Sequence, residues 1–519
     1  MTMQVVRDVD ITGRFFVAVT NLKLYNNFII ANKLQFLPST HKENCAPSDF
    51  SWTSPQEWAQ LLLDPIPRLL GQHTTLGVVV GDHLTYKPKF LRLESVDLLR
   101  LISVVPIKTH SEIGSVLEKE HNVVFDLSNQ VDPLWRLVIA PIADEPSSFY
   151  LVLVLHHVVF DGRSGESFSE QLIEQLNLQA KRVDSTAIVN SESVTKISIT
   201  SNKPMPAPLE ERIVCKPSLK TLVSQIVQSL LVPTWVKKAL NSQYWAGEME
   251  ALPGQPIEIE MKLIQLTYQE TSKLIQASKR RSSTVQSILY TASIFAIKAV
   301  FMSGHENAKD SILFSTPICL RDMAPTPISH ADHGNYVSRI LHPNIHIHDE
   351  SEFWDLAHEY KRQVIERANL EGIKGSLELF GMGEYLPKTD GAYEKLLVSQ
   401  MSALPYGRES SVGISNLGRG WSQFKGAPTN GGFAKNDEFL VKDGIFSIAS
   451  MVADTAMGIA VVTVADGVMS ISVSWHKSAL KGRARGELFA KEFKKILHEA
   501  IEDEREVYLF RDAKQTCAI

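Results

Sequence analysis

Cysteine is scarce in this sequence, with four in 519 residues: Cys45, Cys215, Cys319 and Cys517. They are far apart and match no metal-ligand spacing. Thiols so placed suit a reducing compartment, where they stay free. Cys517 is third from the end, so the terminus is no prenylation box. Charge of one sign is also missing. Fifty-three basic residues face 58 acidic ones, a net charge of −5, and no long basic run occurs. Nucleic acid is therefore a poor candidate partner, and an anionic co-substrate needs a local basic patch. Long hydrophobic runs are absent as well. The nearest, Val285 to Met302, contains Gln286 and Lys298 and reads as a buried helix, not a membrane span. Met1 to Asp10 lacks a signal-peptide core. A cytosolic protein is expected, with peripheral membrane contact left open. No solenoid repeat, phosphate loop or dinucleotide fingerprint is found.

What is present is a globular composition, 44% hydrophobic and 21% charged, in a chain long enough for two large cores. Residues 183–211 are rich in Ser, Thr, Asn and Pro and include Lys203-Pro-Met-Pro-Ala-Pro208. Prolines at that density resist helix and central strand. The stretch reads as a linker or long surface loop between a first half, 1–182, and a second, 212–519.

Each half mixes strands and helices. Ser54 and Pro55 open a helix expected to reach Leu70. Arg14 to Leu34 is apolar with polar breaks and leaves its type open. Thr75 to Val80 and Phe149 to Leu155 have the β-branched, apolar character of buried strands, and Ser164 to Leu178 has helical spacing. In the second half, Ser282 or Ser283 is expected to cap a helix from Thr284 to Met302. Ser311 to Ile318 and Tyr336 to Leu341 read as strands, and Glu352 to Ala368 as a helix. Ile445 to Trp475 reads as three strands in a meander, with Ala465-Asp-Gly467 a hairpin signal. Asp443-Gly444 reads as a turn. The helix from Arg485 to Ile501 has a core-packing face. The fold class is α/β, in α+β sandwich layers.

The chemistry is concentrated where a buried strand, Phe149 to Leu155, runs into His156-His157-Val158-Val159-Phe160-Asp161-Gly162 and then a helix. A strand end holds an imidazole rigidly while the turn redirects the chain. A hydroxyl attacking a thioester must lose its proton as the bond forms. A neutral imidazole can take it, with a gain of roughly 10²–10⁴-fold. His157 is the candidate base. Strand alternation sends His156 to the other side, as a neighbour. Asp161 has two readings: it polarises His157, or, like many an Asp before Gly, it holds the turn or pairs with a cation. The second is preferred. At average composition, His-x-x-x-Asp-Gly has roughly 0.05 chance occurrences here.

This motif resembles the active-site motif of the chloramphenicol acetyltransferase-like superfamily, which includes plant BAHD acyltransferases, peptide-synthetase condensation domains and fungal alcohol O-acetyltransferases. The fungal branch matches best. Leu24-Tyr25-Asn26-Asn27-Phe28 is similar to its Leu-Tyr-x-Asn-Phe signature. Pro133-Leu134-Trp135-Arg136-Leu137 resembles the segment before the His strand. Ser315-Thr-Pro-Ile-Cys-Leu-Arg321, Gly334-Asn335-Tyr336 and Gly413-Ile-Ser415-Asn416-Leu-Gly418 follow in order. The plant Asp-Phe-Gly-Trp-Gly segment is replaced by Ser415-Asn416-Leu-Gly418-Arg-Gly420-Trp421.

The resemblance implies two similar domains with a tunnel between them, an acyl-CoA entering from one face, an acceptor from the other, and Arg321 as the partner of Asp161. It implies no metal, no permanently bound cofactor and no covalent acyl-enzyme. Acyl-CoA, with acetyl-CoA favoured, is the co-substrate, and a small alcohol or amine is the acceptor. Ser415 and Asn416 are oxyanion candidates, an ordinary strand-end turn being the other reading. Asn335 and His156 are tunnel candidates. Lys279-Arg280-Arg281, ahead of a helix start, are candidates for the coenzyme phosphates or else a solvated basic turn. His333, Trp421 and Trp475 read as ordinary core residues. A monomer suits a two-domain tunnel. Two further readings stay open: a condensation-type enzyme using carrier-bound acyl groups, and a ligand-binding homologue without turnover.

Overall fold

The structure is a computed structural model that describes residues 3–37, 54–182, 195–241, 244–302, 311–421, 438–464, 467–502 and 507–515. Cys45, Cys517, residues 183–194 of the linker and the Ala465–Asp466 part of the hairpin turn lie outside the described residues. In the first half the chain forms α1 (Ile11–Asn21), β1 (Phe28–Phe36), α2 (Pro55–Leu62), α3 (Pro65–Gln72), β2 (Ile102–Val104), β3 (Trp135–Pro141), β4 (Ser148–Leu155) and α4 (Gly162–Arg182). The second half adds β5 (Ile259–Leu266), α5 (Tyr268–Arg280), α6 (Val285–Phe301), β6 (Phe314–Cys319), β7 (Val337–Leu341), α7 (Phe353–Arg367), β8 (Ser410–Arg419), β9 (Phe439–Ile448), β10 (Thr455–Thr463), β11 (Met469–His476) and α8 (Arg483–Glu502).

Two sheets carry the architecture. A five-stranded sheet has the order β9-β1-β4-β3-β2, and a six-stranded sheet the order β5-β11-β10-β8-β6-β7. Strand β4 is buried on both faces, as its unbroken apolar run requires. Phe149, Leu151, Leu153 and Leu155 enter one core with Phe168, Leu172 and Ile173 of α4. Tyr150, Val152 and Val154 enter a second, smaller core on the opposite face. The six-stranded sheet packs on α6, α7 and α8 through residues such as Phe295, Phe353, Phe489 and Phe493.

The three strands expected near the end do not form one meander. β10 and β11 pair antiparallel, but β9 leaves for the first sheet and pairs along β1 from Phe439↔Phe36 to Ile448↔Phe28. The sheet of residues 28–155 is thus completed by a strand of the second half. Asp443-Gly444 is not a turn. It sits inside β9 at a register shift opposite Lys33 and Asn32, where one extra residue bulges. A side chain on Gly444 would come within 2.4 Å of the Trp421 ring and 2.5 Å of Val464.

Other boundaries also moved for local reasons. The helix expected from Pro55 to Leu70 breaks into α2 and α3 at Pro65, which has no N–H to donate and crowds the preceding turn. Ser54 does cap α2, its Oγ accepting from the Gln56 N–H at 3.2 Å. Thr74–Gly77 is a 3₁₀ turn, and only Val78–Gly81 is strand. Thr284, not Ser282 or Ser283, caps α6, accepting from the Ser287 N–H at 3.1 Å. The open Arg14–Leu34 segment is the end of α1 followed by β1. Among the described residues no single helix is long and apolar enough to cross a membrane, and α6 is buried over most of its length.

Candidate active site

His157 follows the end of β4, on the Leu155 side of the pleat. Its ring stacks on Phe16 of α1, with centroids 4.7 Å apart and planes 18° from parallel, and tilts against Phe28 of β1 at 4.5 Å. Its carbonyl accepts from Asn335 Nδ2 at 2.7 Å, and its Nδ1 has no hydrogen-bond partner. The ring lines a cavity of about 590 Å³. Burial pushes the His157 imidazolium down to about 4, against the opposing pull of the Asp161 charge. The imidazole is therefore neutral at pH 7, the form that can accept a proton.

His156 was a tunnel candidate, and the structure removes it from the cavity. It is fully buried on the Tyr150, Val152 and Val154 side, because successive side chains leave a strand on opposite faces. Its Nδ1 accepts from the Val158 N–H at 3.1 Å, and Nε2 meets Thr20 Oγ1 at 3.1 Å. Burial holds it near 3.

Asp161 faces Arg321, which comes from the other half of the chain. Arg321 Nη1 donates to Asp161 Oδ2 at 2.5 Å, with the two side chains 0% and 1% exposed. The same carboxylate accepts from the Tyr336 N–H at 2.9 Å, the Ser164 N–H at 2.8 Å and Ser164 Oγ at 2.9 Å. Arg321 Nη2 reaches Ser164 Oγ at 3.0 Å and the Asp332 carbonyl at 3.1 Å. Burial alone would raise the Asp161 carboxyl, but Arg321 and these donors bring it below its ordinary value. The pair ties the start of α4 to the β6–β7 connection. Gly162 permits the close fit: a Cβ there would lie 2.9 Å from Leu417 and 3.4 Å from Phe446.

Ser415 and Asn416 line the cavity at the end of β8. Asn416 Nδ2 donates one hydrogen bond to Gln286 Oε1 at 2.9 Å, while Oδ1 accepts from the Gly418 N–H at 2.7 Å. Asn335 also lines the cavity. Lys279, Arg280 and Arg281 do not. The first two end α5 and are exposed, and Arg281 lies over the Trp354 ring at 5.3 Å. The turn belongs to a helix C-terminus rather than a helix start, since α6 begins only after Thr284. Trp421 and Trp475 are core residues, and so is His333, whose ring stacks on His73 at 4.0 Å. No metal-binding group of His, Cys, Asp and Glu occurs among the described residues.

The N-terminal signature acts through packing. Tyr25 and Phe28 touch the His157 ring. Asn26 donates to the carbonyls of His121 and Val123, and Asn27 to that of Glu120, so both hold the end of the 113–121 helix. Sequence reasoning missed Phe16 and Ser164. Ser164 carries a signal in hindsight, three residues past Asp161 at a helix start. Phe16 does not, since only the fold brings α1 over β4.

Two solved structures share this architecture. The TRI3 trichothecene 15-O-acetyltransferase of Fusarium sporotrichioides superposes with a TM-score of 0.62 at 12% identity, covering 95% of this chain and 94% of that one. The condensation domain of the monacolin K polyketide synthase MokA gives 0.56 at 9% identity, covering 97% and 99%. The fold is the two-domain chloramphenicol acetyltransferase-like one. A profile of the alcohol acetyltransferase family matches residues 108–501, and the chain belongs to that family. Crm B of Aspergillus fumigatus, described as a probable alcohol acetyltransferase, is 27% identical over 152 residues, 28% of this chain and 32% of its own length.

Proposed function

We propose that the protein moves an acyl group, acetyl by preference, from coenzyme A to a hydroxyl of a small-molecule acceptor, with His157 as general base. One observation carries the reading: His157 stands at the wall of the cavity while the nearby carboxylate, Asp161, is turned into its pair with Arg321. The acceptor oxygen attacks the thioester carbonyl as His157 takes its proton. The tetrahedral oxyanion collapses, the C–S bond breaks, and the proton passes to the departing thiolate. Ser415 is the oxyanion donor this arrangement favours: its hydroxyl is on a residue of the lining, while Asn416 and Asn335 each have one of their two amide N–H groups engaged elsewhere. Asp161 and Arg321 act as positioning residues. Lys279 and Arg280 remain candidates only for phosphates lying outside the cavity. The protein acts as a monomer in this reading.

The test is release of free thiol from acetyl-CoA, wild type beside His157→Ala, across a panel of alcohols and amines. Acceptor-dependent release that the variant loses is the expected result. Equal release by both proteins removes His157 from the mechanism. The shared fold of condensation domains makes carrier-bound acetyl the second donor to try; turnover with it alone would replace coenzyme A in the scheme.

A further inference from the structure

Most of the cavity wall is apolar or aromatic, with Phe15, Phe380, Tyr393, Met401 and Met451 among its residues. Apart from Asp161 and Arg163 beside His157, the charged residues on that surface form one group whose members come from three places in the chain. Arg339 lies on β7, Glu409 just ahead of β8 and Asp454 just ahead of β10. Arg339 Nη1 meets Asp454 Oδ1 at 2.8 Å, and Nη2 meets Glu409. Two carboxylates thus share one guanidinium, which leaves a formal excess of one negative charge. Burial raises the Asp454 carboxyl; Arg339 opposes that rise and the Glu409 charge adds to it. None of the three is sealed: Arg339 is 25% exposed, Glu409 36% and Asp454 31%. A charge excess open to an apolar cavity marks a place for a ligand group of opposite sign.

Its position selects the substrate. Arg339 lies four residues beyond Asn335, the residue bonded to the His157 carbonyl, so extended backbone separates their α-carbons by roughly 13 Å. A polyanionic coenzyme is repelled from this end. At the other end of β8 the cavity is lined by Asn416, Leu417 and Arg163, whose guanidinium is paired with Glu166 outside the lining.

We propose that Arg339, Glu409 and Asp454 form the acceptor-recognition end of the cavity, and that it takes an apolar alcohol carrying a protonated amine at the end remote from the hydroxyl. The proposal rests on the reading of His157 as the base at which that hydroxyl reacts. The apolar walls take the body of the acceptor, and the acidic excess takes its cation.

The probes are 8-(dimethylamino)octan-1-ol and octan-1-ol, titrated calorimetrically into the full chain at neutral pH. The tertiary amine is protonated there and forms no stable amide, so only the hydroxyl can be acylated. Wild type is expected to bind the amino alcohol at least about tenfold more tightly, by an ionic term that weakens with salt. Glu409→Gln and Asp454→Asn should each cut that advantage to about threefold or less. Equal affinities in wild type overturn the proposal, as does an advantage that survives in both variants. If a variant fails to fold, wild type in low and high salt decides: an advantage lost at high salt supports the site, and one unchanged by salt overturns it. Thiol release with the same two alcohols reports separately on acyl transfer. Intact amine preference without release from any donor would sink the transfer reading alone. Release without preference would sink the acceptor site alone.

Discussion

Asp161 and Arg321 are 160 residues apart in sequence and 2.5 Å apart in the fold, with no meaningful solvent access to either. Their contact spans the two halves of the chain and holds the turn that follows His157. A carboxylate so bound is not oriented as the third member of a Ser-His-Asp-type triad. It fixes where the backbone carries the base.

Breaking that pair from one side leaves a buried charge without its partner, which costs about 3–5 kcal/mol. Arg321→Ala and Asp161→Ala are each expected to lower the melting temperature by several degrees and to reduce turnover with it. Thermal unfolding of both variants checks this. Melting temperatures equal to wild type in both would remove the pair as a structural tie.

His157→Ala should behave differently. The ring packs on Phe16, Tyr25 and Phe28 but lines a cavity and leaves Nδ1 without a hydrogen-bond partner, so its loss should lower stability only modestly. Thiol release should fall by roughly 10²–10⁴-fold while the fold stays intact. Circular dichroism and melting, run beside the assay, distinguish this from unfolding. A variant that melts far below wild type would mean that the ring is chiefly a packing residue against Phe16 and Phe28.

Stability should fall as pH drops below about 6.5. Burial holds His121 and His156 near 3, and His157 and His342 near 4, so the native chain keeps these rings neutral. The unfolded chain takes up protons at its ordinary histidine value, so it binds more protons than the native state between about 6.5 and 4, and each such ring lowers stability by up to about 1.4 kcal/mol per pH unit as pH falls. Glu170, raised to about 7, Asp443, raised to about 6, and the raised carboxyls of Glu166, Glu210 and Asp454 act in the opposite sense, but they are fewer than the histidines held low, which also include His73, His333 and His476. Denaturant midpoints at pH 7.0, 6.0 and 5.0 should therefore decline in order. A flat or rising series would contradict the buried, neutral state of these rings.

Gly444→Ala tests the strand that crosses between the sheets. The new Cβ would meet Trp421 and Val464, both buried, at distances no side chain tolerates. A destabilisation of about 1–3 kcal/mol is expected from overpacking. Chemical denaturation measures it, and a neutral result would mean that the β9 bulge relaxes freely.

The active-site strand was legible because its signals are local. Seven apolar residues in a row specify a strand buried on both faces, and the polar turn after it ends the pairing at a known place. The same alternation correctly separates His156 from His157, although the tunnel position considered for His156 ignored it. The cap of the helix after the basic turn at Lys279 falls at Thr284 and not at Ser282 or Ser283, because the three residues look alike in sequence. Ser282 adopts a left-handed backbone, with φ 50°, and leaves the cap to Thr284.

Sequence by itself determined the elements whose pattern repeats within a few residues: β4, its histidines, and the apolar faces of α4, α7 and α8. The departure of β9 to the first sheet, the stacking of Phe16 on His157 and the gathering of Arg339, Glu409 and Asp454 were decided only in three dimensions. Each joins segments separated by more than 40 residues, where no periodicity links the partners. Their proximity follows from which sheet edge is free to be paired and which cores must be covered, and that is a property of the whole packed chain.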